Sequence, residues 1–343
     1  MAGIAVAGAG LIGTRHLGAL RLAGLEIHSV IDPAPGASDI ARRYGVPHHA
    51  SLEAGLEARP AGVVLATPNA HHPEGAMSCI SAGVPVLIEK PIATTLAAAR
   101  RIVAAGQAAG VPVLTGHHRR HLPVVQAARA RIGEGALGRI VAAHGMFWIA
   151  KPDAYFETPW RRSPGAGPTF MNLIHDIDLM RYLLGDVQGV QAVMSNAVRG
   201  NPIEDACGAL LTFESGAICT LQASDAIVAP WSFELTARDN ETYPPTSENA
   251  LWIGGTHGAL ALPQGEEWDD GGSRDWWKPI RRTTLLRGTE DPLVAQMRNF
   301  DAVIRGACDP VCSGRDGMES LAVLLAIRTS AASGARVVPG EES

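Results

Sequence analysis

The chain has 343 residues, 46% of them hydrophobic and 18% charged, and a formal net charge of −5. That length accommodates two domains with sizeable cores, and a weakly negative charge without a run of Lys or Arg excludes nucleic acid and an anionic membrane surface as main partners. The five cysteines, Cys79, Cys207, Cys219, Cys308 and Cys312, are scattered, with no Cys-x-x-Cys pair and no metal-ligand spacing, so free thiols and no bound metal are expected.

Ile4-Ala5-Val6-Ala7 forms an apolar run that feeds into Gly8-Ala9-Gly10-Leu11-Ile12-Gly13 and, after a helical stretch, into Val30-Ile31-Asp32. In the order strand, glycine turn, helix, strand, acid, each glycine has a mechanical reason. Gly8 permits the tight turn, Gly10 the close approach of a pyrophosphate, and Gly13 the close packing of helix on strand. The helix beginning near Leu11 offers its free N–H groups to the phosphates. Asp32, nineteen residues after Gly13, can accept hydrogen bonds from ribose hydroxyls and would repel a 2′-phosphate, so NAD is expected over NADP. The first strand starts at once, leaving no room for a secretory leader, and no apolar stretch has membrane-spanning length; a cytoplasmic protein is the expectation.

From residue 3 to about 122 short apolar runs alternate with amphipathic helices. Ile27–Ile31, Gly62–Ala66, Val84–Ile88 and Val111–Leu114 read as buried parallel strands, and Ala37–Tyr44, Pro73–Ala82 and Leu96–Ala109 as covering helices. The predicted architecture is α/β, a doubly wound parallel sheet over residues 1–122 that binds the dinucleotide. Residues 123–343 then read as a second, α+β domain. Its strands are predicted at Ile140–Ile149, Val190–Asn196, Ala206–Phe213, Ala217–Ala223, Phe233–Ala237 and Ala250–Ile253, at hairpin spacing that implies a large, mostly antiparallel sheet. Helices are predicted at Phe170–Leu184, about Pro292–Arg305 and Gly317–Ser333, and Pro263–Pro279, rich in Trp and acidic residues, reads as a long surface loop or lid.

Ligands in doubly wound sheets bind beyond the carboxyl ends of the strands. Three segments stand there: Thr67-Pro68-Asn69 with His72, then Glu89-Lys90-Pro91, and Gly116 through His121, which includes His118 and Arg119. Lys90 directly follows an apolar strand and is pinned by Pro91, so its ammonium is placed to meet the substrate oxygen and assist proton transfer. On the helix of the second half, His175 and Asp178 lie one turn apart with Asn172 on the adjacent row. His175 can accept an alcohol proton near neutral pH, and Asp178 can orient it.

Together these segments, with Gly167 and the His175-Asp176-Ile177-Asp178 helix, resemble the glucose-fructose oxidoreductase and myo-inositol dehydrogenase (Gfo/Idh/MocA) family over nearly the whole chain. The resemblance implies a Rossmann domain, a C-terminal domain whose open sheet often makes the oligomer interface, and hydride exchange between a nicotinamide and a hydroxyl carbon of a sugar or cyclitol. By position it makes Lys90 the contact to the reacting hydroxyl and His175 the general acid/base. Many members carry an Asp four residues before this His. Here that position is Met171, with Asn172 three before, and an amide can orient a substrate but takes no proton at neutral pH.

The expected protein is therefore an NAD-dependent dehydrogenase of a secondary alcohol on a small polyhydroxylated compound, a sugar, cyclitol or hydroxylated ring acid, working as a homodimer or homotetramer. The alternatives are an NAD-dependent glycosidase of the same family and a non-catalytic NAD(H)-sensing regulator. Expected cofactor contacts are Gly8, Gly10, Leu11, Ile12, Gly13, Asp32, Thr67, Pro68, Asn69, His72, Glu89 and Lys90. Expected substrate contacts are Lys90, His118, Arg119, Trp160, Arg161, Asn172 and His175. The basic side chains Arg119, Arg120, Lys151, Arg161 and Arg162, with Trp160, further predict an anionic group on the substrate.

Overall fold

A computed structural model describes residues 3–238 and 243–341, which divide into two compact units: 1–121 with 290–321, and 122–289 with 322–343. The first unit contains β1 (Ile4–Ala7), α1 (Leu11–Leu22), β2 (Ile27–Ile31), α2 (Ala37–Tyr44), β3 (His48–His49), α3 (Leu52–Glu57), β4 (Gly62–Leu65), α4 (His72–Ser81), β5 (Val86–Ile88), α5 (Leu96–Ala109) and β6 (Val113–Thr115). All pairs are parallel and the sheet order is β3-β2-β1-β4-β5-β6, which puts the topological switch point between β1 and β4. Helix boundaries follow local chemistry: Thr95 Oγ1 accepts from the Ala98 N–H at the start of α5, and Gly110 ends it at φ +64°.

Further along come α6 (Pro123–Gly133), β7 (Ile140–Trp148), α7 (Ile174–Leu184), β8 (Val187–Ser195), β9 (Ala206–Phe213), β10 (Ile218–Ser224), α8 (Phe233–Thr236), β11 (Leu251–Gly255), β12 (Gly258–Leu262), β13 (Glu266–Asp269), β14 (Arg281–Thr284), α9 (Pro292–Ile304) and α10 (Gly314–Ser333). The second unit's sheet has eight strands in the order β14-β13-β12-β11-β7-β10-β9-β8, antiparallel except for the β10–β7 pair. Alternation along β7 and β10 buries Ala143, Phe147, Leu221 and Ala223 on one face. Helix α7 packs there, close enough that a side chain at Gly145 would meet Met180 Cε at 3.4 Å.

Three expectations are corrected. A single boundary at 122/123 misses the return of the chain to the first unit: Leu293, Val294, Met297, Phe300 and Val303 of α9 pack into one buried cluster with Leu17, Leu20, Val64 and Leu87. Residues Phe233–Ala237, read as a strand, form the short helix α8, because Ser232 caps it by accepting the Leu235 N–H and Glu234 stands in its first turn. Residues 263–279, read as a loop, contain β13. Its pairing with β14 is held by cross-strand ion pairs, Arg282 to Glu266 at 3.0 Å and Arg281 to Asp269 at 2.5 Å.

Candidate active site

In the first unit the glycine turn has the shape that the spacing implies. Gly8 has φ +97°, and a Cβ there would lie 2.4 Å from the Ala66 carbonyl oxygen; one on Gly13 would lie 1.8 Å from that of Gly8. Neither position admits a side chain. A Cβ on Gly10 would meet nothing within 4 Å, and as N-cap of α1 this residue supplies no side-chain cap to the first N–H groups of the helix. An uncapped twelve-residue helix behind such a cradle fits a pyrophosphate. Asp32, at the end of β2, is fixed by two backbone donors: the Ala9 N–H to Oδ2 and the Ala34 N–H to Oδ1, each at 2.7 Å. Each carboxylate oxygen keeps a lone pair for a ribose hydroxyl.

Beyond β4 and β5 two loops are pinned to each other. His72 is fully buried, with Nδ1 2.8 Å from the Pro91 carbonyl and Nε2 2.9 Å from that of Thr67. Burial pushes its pKa down, against two carbonyls that favour the charged ring. It therefore braces Thr67, Pro68 and Asn69 against Lys90-Pro91 from inside the core, whereas the sequence places it among the cofactor contacts. Glu89 is buried as well: Oε1 lies 2.7 Å from His16 Nε2 and Oε2 accepts the Lys90 N–H at 3.1 Å. The half-buried Lys90 thus stands at the carboxyl end of β5 on a backbone held by its neighbour's carboxylate.

His118 to His121 form a 3₁₀ turn after β6. Arg119 and Arg120 are 3% and 2% exposed, and Arg120 reaches Asp316 at 3.1 Å and the Val311 carbonyl at 3.2 Å. Arg120 therefore ties parts of one unit together.

In the second unit α7 is entered through one π-helical turn, Thr169–Leu173, where the sequence predicts a regular helix; such turns recur at functional sites. His175 and Asp178 are 6% and 1% exposed. Tyr182, seven residues beyond His175 on the same helix, accepts at its hydroxyl from Gln126 Nε2 at 3.0 Å. Asn172 lies between two charged groups: Oδ1 accepts from Lys151 Nζ at 3.1 Å, and Nδ2 donates to Glu234 Oε1 at 3.4 Å. Lys151 also sits 3.2 Å from Asp225, a fully buried carboxylate that Arg199 bridges from its other oxygen. Burial pushes the Lys151 pKa down and Asp225 opposes it. Arg161 lies 4.1 Å over the Tyr155 ring and donates to the Tyr155 carbonyl at 3.0 Å, with the half-exposed Trp160 alongside.

Sequence reasoning misses His16, Asp225 and Glu234 at these places. For Glu234 a signal exists, the Ser232 cap, but alternation masks it; for His16 and Asp225 no local pattern points to their partners.

The parallel sheet, the glycine turn and Asp32 define a dinucleotide-binding protein. Residues 2–117 match the oxidoreductase family with an NAD-binding Rossmann fold, and residues 125–261 match the GFO/IDH/MocA C-terminal domain. The chain is 29% identical over 333 residues to a 1,5-anhydro-D-fructose reductase of Ensifer adhaerens, covering 93% of this chain and 92% of that protein. It is 33% identical over 233 residues to a 4-carboxy-2-hydroxymuconate-6-semialdehyde dehydrogenase of a Sphingobium species, covering 64% and 71%. Among solved structures, the WlbA dehydrogenase from Bordetella pertussis in complex with NADH and UDP-GlcNAcA superposes with a TM-score of 0.78 at 26% identity, covering 100% of this chain and 99% of that one. The chain belongs to the Gfo/Idh/MocA family of NAD-binding oxidoreductases. Dehydrogenase and reductase names among these relatives favour alcohol–carbonyl chemistry over the glycosidase alternative.

Proposed function

We propose that this protein exchanges hydride between NAD and a secondary alcohol of a small polyhydroxylated ring compound, with Lys90, His175 and Asn172 as its catalytic set. When bound, the nicotinamide supplies the hydride acceptor or donor. Gly8, Gly10 and Gly13 with Leu11 and Ile12 hold the phosphates, Asp32 the ribose, and Thr67, Pro68 and Asn69 border the ring. Lys90 donates a hydrogen bond to the reacting oxygen and stabilises its developing negative charge. His175 takes the hydroxyl proton, or returns it in the reverse direction, and Asn172 orients the substrate. The observation that carries this reading is the pairing of a cradle that fits a dinucleotide with a Lys90 backbone locked by Glu89 and Pro91.

The sheet of the second unit supports self-association through its uncovered face. Val193, Ile218 and Val141 are 72%, 49% and 52% exposed, and Ala142, Gly254 and Ala259 floor a groove of about 510 Å³ walled by Trp252 and Trp268. A homodimer or homotetramer is the corresponding assembly. Four of the five cysteines are buried free thiols and Cys308 is an exposed one, which suits a reducing cytoplasm.

The proposal is tested by incubation with NAD and a panel of sugars, cyclitols and hydroxylated ring acids while NADH absorbance is followed. NADH formed in step with substrate loss supports it. Hydrolysis without net NADH would assign a glycosidase, and NAD binding without turnover of any compound a regulator.

A further inference from the structure

Strands β7 and β10 pair in parallel, so their carboxyl ends emerge side by side and the residues just beyond them meet. There Asp225 holds Lys151 at both ends: its carbonyl accepts the Lys151 N–H at 2.9 Å, and its Oδ2 lies 3.2 Å from Lys151 Nζ. Asp225 is fully buried, and among the described residues Oδ2 has no other donor. Its Oδ1 and its carbonyl take the two terminal nitrogens of Arg199. Arg199 is fixed in turn by Asp205, whose Oδ2 accepts the Val198 and Arg199 N–H groups at 3.0 and 2.9 Å.

This buried frame delivers one ammonium to the π turn that opens α7. Lys151 Nζ donates to Asn172 Oδ1 at 3.1 Å, three residues before His175. An ammonium only donates, so it keeps Oδ1 toward itself and turns Nδ2 away; the bond from Nδ2 to Glu234, at 3.4 Å, is the longer and weaker hold. The charged groups that face Nζ are Asp225, Glu234 and Arg199, and the Tyr155 ring lies 5.0 Å from it. Burial pushes the lysine toward its neutral form and Arg199 adds to that push, while Asp225 and Glu234 oppose both.

We propose that Asp225 is a positioning residue of the site, clamping Lys151 so that its ammonium fixes the orientation in which Asn172 presents its amide to the substrate. The role of Asn172 rests on the dehydrogenase reading above, whereas the clamp does not. Asp225 acts through Lys151 and not on the substrate. Without its carboxylate, Lys151 and Arg199 are two neighbouring buried cations, and the lysine, the one of the two that can lose a proton, does so. A neutral amine accepts as well as donates, so it no longer dictates which end of the amide faces it.

The chain has three lysines, Lys90, Lys151 and Lys278, so the full-length protein labelled with carbon-13 at lysine Cε gives three resonances, of which Lys151→Met removes one. Titrated by NMR, the Lys151 midpoint should fall by about one pH unit or more in Asp225→Asn and rise in Arg199→Met, which removes the competing cation. Circular dichroism checks that the variants fold; should Asp225→Asn unfold, the opposite shift in Arg199→Met decides alone. With NAD and whichever compound of the panel the protein oxidises, Asp225→Asn should lose about tenfold or more in kcat/KM above its new midpoint and recover below it. Lys151→Met should be weakened at every pH without that limb. A merely structural role for Asp225 gives a loss that does not follow the lysine. A Lys151 midpoint unmoved in the variants overturns the clamp, and a moved midpoint with no matching limb overturns the positioning role. A wild type that binds NADH and oxidises no compound of the panel overturns the dehydrogenase reading, and the titration then still decides the clamp.

Discussion

His16 Nε2 lies 2.7 Å from Glu89 Oε1, so the helix behind the glycine turn is bonded to the residue that precedes Lys90. Both side chains are buried, and Glu89 also accepts the Lys90 N–H. Burial alone would raise the Glu89 carboxyl. The hydrogen bond and charge of His16, with Lys90 and His118, bring it down from 4.5 to about 2. A carboxyl depressed on folding stabilises the native state above its unfolded pKa and loses that contribution as pH falls toward the folded value. Unfolding free energy should therefore fall on acidification from pH 5.5 to pH 3 by about 2 kcal/mol more in the wild type than in Glu89→Gln. Denaturant titrations of both at the two pH values check this; parallel losses would show that Glu89 is not held ionised.

Lys90→Ala should lower kcat by about a hundredfold or more while leaving NADH affinity nearly unchanged, because loss of electrostatic or acid–base help acts on the transition state and not on the phosphates. His175→Asn should lower kcat similarly and remove the part of the kcat/KM pH profile that His175 contributes. Stopped-flow NADH binding with steady-state profiles separates the two effects. Turnover above about a tenth of wild type in Lys90→Ala, or a retained acidic limb in His175→Asn, contradicts the assigned roles.

The first unit is largely legible in the sequence because its signals are local. Ala37–Tyr44 and Leu96–Ala109 are bounded to the residue by glycine and threonine, and the strands by unbroken apolar runs. The two-residue strand β3 and the six-residue helix α3 are too short for periodicity to register. In the second unit β13 and β14 are hidden because their stabilising groups are charged cross-strand pairs, which read as a solvated loop. The return of α9 to the first unit depends on contacts between residues more than two hundred positions apart, such as Phe300 against β4 at Gly62. No window of sequence contains such a pair. The same limit applies at the candidate site: Lys90, His175 and Asn172 sit in recognisable motifs, whereas Glu234 reaches Asn172 across sixty-two residues.

Asp32 should govern cofactor choice, with a structural complication. Its carboxylate accepts from the N–H groups of Ala9 and Ala34, so it also shapes the turn. Asp32→Ser should weaken NAD through lost ribose bonds and a looser turn, and relieve repulsion of a 2′-phosphate. The ratio of kcat/KM for NADP to that for NAD should rise at least about tenfold. A variant that loses both cofactors equally would assign Asp32 to the turn alone.

The uncovered face of the eight-stranded sheet should join subunits. Ile218 on β10 is 49% exposed in the single chain and pairs in register with Ala142 on β7, beside the groove floored by Ala142, Gly254 and Ala259. A charge there costs an isolated subunit little, since exposed substitutions usually stay within about 0.5 kcal/mol. In an interface between two copies the same lysine would be desolvated, and by two-fold symmetry it enters twice. Ile218→Lys should thus lower the molecular mass measured by light scattering at micromolar concentration to that of a smaller assembly, with NADH affinity retained. A variant that keeps the wild-type mass, or a wild type that is itself monomeric, would show that this face does not join subunits.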